Sequence, residues 1–283
     1  MAKADFDHIY TAPDPRAYFD TLGGLDYQIP GHGVAIFDRL ANQIAEQRDL
    51  DRVHIVDLCC SYGVNGAMLK HDVTFPEMRK HYADDGCEGL ERDELVARDR
   101  RWFGQRQLDK PRAVFGLDTS SAAIDYAVDA GFIDDGAAED LEADPPSADL
   151  VQWLKDADLV TVTGGIGYIT ERTIGQVLDA CGSPPWLAAM CLRWIDFTPI
   201  AEVGAKHGLI TERLDGVTFP QRRFFDSDEQ DYVRAELERQ GIDPTGREAD
   251  GYHHADLYLL RPEPDVAAVA LDDLIGTVHT VDQ

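Results

Sequence analysis

The chain has 283 residues, 44% of them hydrophobic and 28% charged, an ordinary profile for a folded chain with a substantial core. Its formal net charge of −27 argues against nucleic acid backbones and anionic membranes as partners, and leaves solvation in high salt or recruitment of a cationic substrate as roles for the charge. No apolar run approaches the roughly 20 residues that span a bilayer, and the start Met1-Ala2-Lys3-Ala4-Asp5-Phe6 has neither the basic nor the apolar region of an export signal. The cysteines Cys59, Cys60, Cys87, Cys181 and Cys191 are odd in number and form no C-x-x-C pair. That points to reduced thiols in a cytoplasmic protein rather than to a disulfide framework or a metal site.

Residues 1–32 carry Tyr10, Tyr18, Phe19 and Tyr27 among Pro13, Pro15 and Pro30, too aromatic for a disordered tail. A short helix at 15–22 and a loop through Gly31 suggest a segment folded onto the body, its rings filling core or forming a lid over a cleft. Residues 34–47 have helical periodicity. Val53-His54-Ile55-Val56-Asp57-Leu58 then reads as a strand, Cys59-Cys60-Ser61-Tyr62-Gly63 as a tight turn, and 64–69 as the start of a helix. This geometry brings backbone N–H groups and a helix N-terminus up to a ligand. It lacks the glycine triplet of a dinucleotide site.

Residues 73–110 break the rhythm and predict two or three short helices inserted before the second strand, Arg112 to Asp118. Thr119 or Ser120 can cap the helix at 122–130. A short third strand falls within 131–141, a fourth at 158–163 before Gly164-Gly165, a helix at 171–180 and a fifth strand at 186–192. Strands at 209–214, 217–224 and 256–260, with a helix at 228–240, suggest an antiparallel addition at the sheet edge. The alternation predicts one α/β domain over 1–283 with a mostly parallel sheet. Ligands of such sheets bind at the C-terminal ends of the strands. Here those ends carry Asp57, Asp118-Thr119, Asp140 and Thr163-Gly164.

These segments resemble class I S-adenosylmethionine-dependent methyltransferases. Val56 to Gly63 matches the first motif, with Cys59-Cys60-Ser61 where glycine-cysteine-glycine is usual. Gly116-Leu117-Asp118-Thr119-Ser120 matches the ribose motif, Ala138-Glu139-Asp140-Leu141 the adenine-side acid, and Asp158 to Gly164 the fourth motif. The resemblance implies a Rossmann-like, seven-stranded, mostly parallel sheet with an antiparallel edge strand, an N-terminal helical lid (1–32) and a helical insertion (73–110) after the first βα unit. It implies S-adenosylmethionine as cofactor, held by Asp57, Cys59, Ser61, Tyr62, Gly63, Asp118, Thr119, Asp140, Thr163 and Gly164. Asp118 would hold the ribose, Asp140 or Glu139 the adenine edge, and Asp57 to Gly63 the methionine end.

The expected activity is methyl transfer to a small molecule, with Tyr168 and Tyr62 as candidate catalytic residues and no metal. Tyr62, Tyr27, Tyr10 and Trp194 could wall a sulfonium through cation–π attraction or serve as core. His253-His254 could supply a base or be structural. Two rivals share the fold: an S-adenosylmethionine cyclase or lyase releasing methylthioadenosine, for example forming azetidine-2-carboxylate, and a non-catalytic cofactor-binding subunit. The oligomeric state is not legible; a homodimer is compatible with it.

Overall fold

The structure, a computed structural model, describes residues 6–276; residues 1–5 of the expected lid lie outside that range. The chain opens with α1 (Asp7–Tyr10), α2 (Arg16–Gly24) and α3 (Ile29–Arg48). Helix α3 starts at Ile29 rather than near residue 34, because Pro30 at its first turn presets the helical φ. The expected loop through Gly31 is therefore helix.

Strand β1 (Val53–Leu58) carries the β-branched Val53, Ile55 and Val56 and is buried on both faces, as a central parallel strand requires. Helix α4 (Val64–Lys70) follows, and the insertion folds into α5 (Phe75–Tyr82), a single 3₁₀ turn and α6 (Arg92–Gly104). Thr74 and Glu77 close a reciprocal capping box on α5, which fixes where the insertion begins. Then come β2 (Arg112–Asp118), α7 (Ser121–Ala130) capped by Ser120, and β3 (Asp135–Ala138). The run continues through α8 (Ala148–Leu154), β4 (Leu159–Thr163), α9 (Glu171–Ala180), β5 (Trp186–Leu192) and α10 (Thr198–Lys206). The remainder holds β6 (Leu209–Arg213), β7 (Phe219–Arg223), α11 (Ser227–Arg239), β8 (Tyr252–Pro262), α12 (Glu263–Ala268) and α13 (Leu271–Ile275).

The sheet order is β3-β2-β1-β4-β5-β8-β6, with β7 also on β8. The pairs among β1 to β5 are parallel, and β8 runs antiparallel to β5, β6 and β7. One edge of β8 is shared: Tyr258 to Pro262 pairs with β6, while Tyr252 to Ala255 pairs with β7. The sheet is thus seven positions wide but built from eight strands, one more than the expected seven. Two apolar cores lie on its two faces. One joins α3, α4, α7 and the lid rings, and the other joins α8, α9 and α10. The strand order reverses between β1 and β4, which makes the crevice above them the topological switch point. Strand order, switch point and reversed penultimate strand define the Rossmann-like fold of class I S-adenosylmethionine-dependent methyltransferases. No helix among the described residues is long and apolar enough to cross a membrane.

Candidate active site

A cleft of about 370 Å³ opens at the switch point. Its floor is the turn after β1. There Cys59, Ser61 and Gly63 take left-handed φ values of 54°, 51° and 69°. Cysteine and serine thus hold a conformation that favours glycine. It costs about 1–2 kcal/mol at each non-glycine position, so the surroundings must impose the conformation. The backbone N–H of Ser61 donates to Asp118 Oδ2 at 2.9 Å and that of Cys60 to the Leu117 carbonyl at 3.3 Å. The room for the two thiols comes from neighbouring glycines. A Cβ on Gly165 would sit 2.7 Å from Cys59 Sγ, and one on Gly116 would sit 2.6 Å from Cys60 Sγ.

Asp118 also accepts from the Ser120 N–H at 3.0 Å, so backbone N–H groups orient both carboxylate oxygens. Each oxygen keeps a second lone pair for a ligand hydroxyl. Asp57, expected to touch the ligand, lies instead beneath the turn with no exposed surface. Thr161 Oγ1 donates to it at 2.7 Å and Asn65 Nδ2 at 3.1 and 3.2 Å. Burial raises its carboxyl to about 6, against the pull of these two hydrogen bonds. Asn65 Nδ2 also donates to Thr163 Oγ1 at 3.0 Å. With the amide nitrogen committed to Asp57 and Thr163, the Asn65 oxygen is fixed by the network. That Oδ1 and Ser61 Oγ are buried without a partner, and both residues line the cleft. Buried polar atoms left this way take a ligand group or an ordered water as partner.

On the β3 side, Glu139, Asp140, Leu141 and Glu142 line the cleft with Leu117 and Ile169. Asp140 is exposed and accepts from the Glu142 N–H at 2.9 Å, while Glu139 accepts from Ser147. Glu142, which sequence reasoning missed, ties this loop to Thr170 and Thr173. Thr119, Thr163 and Gly164 also line the cleft.

The lid contributes Phe6, Tyr10, Thr11, Tyr18 and Tyr27. Tyr18 packs edge-on against Tyr10 and Tyr27 at 6.0 and 6.3 Å. Burial pushes all three phenols above their ordinary range, so they are neutral hydrogen-bonding groups and not bases. Tyr62 corrects an expectation. Its ring is fully buried behind the cleft, and its hydroxyl engages the carbonyls of Ile9 at 3.0 Å and Ala12 at 2.8 Å, which anchors the lid. A catalytic hydroxyl would need to face the cleft, and this one faces the lid backbone. Tyr168 lines the mouth at 50% exposure. Trp194 packs against Tyr232, away from the lining. His253 sits beside Glu229 and His254 is bonded by Thr218 Oγ1, so neither reaches the cleft. Burial, with Arg193 and Arg247 nearby, lowers His254 to about 4. Strand β7 closes the last wall with Gln221 and Arg222. Among the described residues no His, Cys, Asp and Glu group has metal-holding geometry.

No family model matches the chain, and no curated protein matches it. Solved structures with a similar chain path include distant ones of 12–15% identity. A TehB-like SAM-dependent methyltransferase from Corynebacterium glutamicum is 15% identical, with 80% of this chain and 86% of that one covered and a TM-score of 0.39. Magnesium protoporphyrin IX methyltransferase from Synechocystis PCC 6803, with bound SAM, gives 12%, 82%, 80% and 0.40. A SAM-dependent methyltransferase from Geobacter sulfurreducens, in complex with S-adenosyl-L-homocysteine, gives 13%, 93%, 100% and 0.38. The fold stands on its strand order.

Proposed function

We propose that the chain is a cytoplasmic S-adenosylmethionine-dependent methyltransferase acting on a small molecule. The observation that carries this reading is the pair of buried, unpartnered polar atoms, Ser61 Oγ and Asn65 Oδ1, on a left-handed turn at the switch point. The donor set fits the cofactor end to end. Asn65 Oδ1 suits an ammonium, with the Asp57 charge behind it, and Ser61 Oγ–H suits a carboxylate. The free lone pairs of Asp118 suit ribose hydroxyls. Leu117, Leu141 and Ile169 suit an adenine ring with Asp140 at its amino edge.

The bound cofactor supplies a methyl group on a positively charged sulfur, which is already activated for displacement. The protein's task is then orientation and exclusion of water. The lid rings of Tyr10, Tyr18 and Tyr27 line the cleft, and aromatic rings attract a cation. No histidine or lysine is among the described residues of the lining. The bases that the lining does offer are carboxylates, Asp118, Glu139, Asp140 and Glu142. A lidded cleft of about 370 Å³ supports a small acceptor, and the net charge of −27 speaks against a nucleic acid.

The test is product analysis. Purified protein with S-adenosylmethionine and cell extract should yield S-adenosylhomocysteine together with a product heavier by one methyl group. Methylthioadenosine from the cofactor alone would establish the cyclase or lyase instead, and tight binding with no turnover the non-catalytic subunit.

A further inference from the structure

We infer that the methyl acceptor carries a carboxylate that docks on the guanidinium of Arg222, an assignment that rests on the methyltransferase reading. Among the described residues lining the cleft, Arg222 is the one cation; the other charged groups, Asp118, Glu139, Asp140 and Glu142, are acids on the opposite wall. Arg222 is 4% exposed, so its desolvation needs a reason.

Part of that reason lies behind the cleft. Glu229 at the start of α11 takes Nη1 and Nη2 in a two-pronged pair at 2.9 and 2.7 Å, and Nη1 also donates to the Arg223 carbonyl at 2.9 Å, so Nε and the second Nη2 hydrogen are what the guanidinium keeps for a ligand. Burial would raise the Glu229 carboxyl, but Arg222, His253 and the Phe225 N–H hold it well below the usual range. Glu229 thus clamps the guanidinium from outside, and the pair leaves Arg222 in the cleft wall, 5.3 Å over the ring of lid residue Phe6. Arg222 also faces Tyr10 and Tyr27 closely enough for its charge to favour their ionised forms.

Next to it, Gln221 reaches so near Gly164 that a Cβ there would come within 2.7 Å of Nε2, which brings an amide donor between Arg222 and the turn after β4. The remaining guanidinium edge, an amide and neutral phenols form a donor-rich wall, which matches a carboxylate better than an amine. A carboxylate here also answers a difficulty set by the whole chain. A protein with 53 acids against 26 basic residues repels small anions unless a cation is retained at the docking point.

The experiment uses full-length protein saturated with S-adenosylhomocysteine and a panel of matched acid and amide pairs, from acetate and acetamide to benzoate and benzamide, read by ligand-observed NMR. At least one acid should bind about tenfold or more tightly than its amide. That preference should vanish in the double variant R222M/E229M, which removes both charges and leaves neither one buried alone, and shrink in R222K. The inference is overturned if no acid in the panel outbinds its amide, or if the preference survives in R222M/E229M. Failure of the methyltransferase reading shows separately, as absence of S-adenosylhomocysteine binding to the unmodified protein.

Discussion

Ser61 holds a left-handed φ of 51° with a buried hydroxyl that has no partner, two costs that a glycine would not carry. The substitution Ser61→Gly should therefore stabilise the protein by about 0.5–1 kcal/mol, the relief of αL strain less the entropy of glycine, while weakening S-adenosylhomocysteine binding several-fold. Urea unfolding and calorimetry measure the two effects; a destabilised variant would show that the serine is not strained. Asp57 carries the pH dependence. Its carboxyl is raised from 3.8 to about 6, so the native state keeps a proton that the unfolded chain gives up in that window. Stability from this group accordingly falls as pH rises from 3.8 to about 6. Ligand binding should run the other way. The negative charge behind Asn65 exists only above about pH 6, so affinity for a ligand ammonium should drop on acidification through that value. In Asp57→Asn, binding at pH 8 should be about tenfold weaker and its acid limb lost. An unchanged acid limb in that variant would assign the titration elsewhere. Asp118 and Asp140 were legible in the sequence because each ends or follows a strand at a known offset. Asn65, Gln221 and Arg222 were not, because only folding brings a helix residue and a distant edge strand to the turn.

Among the elements, the lid packs its buried rings into the core and adds polar anchors. Tyr62 engages Ile9 and Ala12 from below, Arg16 donates to the Cys87 carbonyl of the insertion at 3.0 Å, and the backbones of Gln28 and Leu25 bond to β7. Tyr62→Phe removes only the first of these. It should cost about 1 kcal/mol and speed hydrogen exchange of residues 9–12 while leaving β1 and β4 protected; equal exchange in the two proteins would deny Tyr62 its anchoring role. Strands β1, β2, β4 and β5 could be read from sequence because burial on both faces leaves apolar runs. Helices α8 and α10 could not. The first is seven residues long after Pro145-Pro146, and the second holds Pro199 and Gly204, which read as breakers. Pro199 occupies the first turn, where no N–H is needed, and a side chain on Gly204 would run into Leu260 of the sheet. The start of β8 was missed for a different reason. His253 and His254 interrupt the apolar pattern, yet the strand runs through them, and β7 lies along that added end.

Across the whole molecule, the acidic surface and the acids of the cleft act in the same direction, and under the proposed function they act unequally on the two forms of the cofactor. S-adenosylmethionine carries one more positive charge than the S-adenosylhomocysteine left after transfer. A field set by −27 charges overall, focused by Asp118, Glu139, Asp140 and Glu142, holds the reactant more firmly than the product. Turnover would thus lower the affinity of the molecule left in the cleft. Salt should erode this difference, because screening shortens the reach of the distant charges. The ratio of the two dissociation constants should therefore move several-fold toward unity between about 0.05 and 1 M salt, measurable by calorimetry. A ratio that does not change with salt would confine the discrimination to groups touching the sulfur. Under the proposed function the acidity of this chain then becomes a means of product release that resists end-product inhibition.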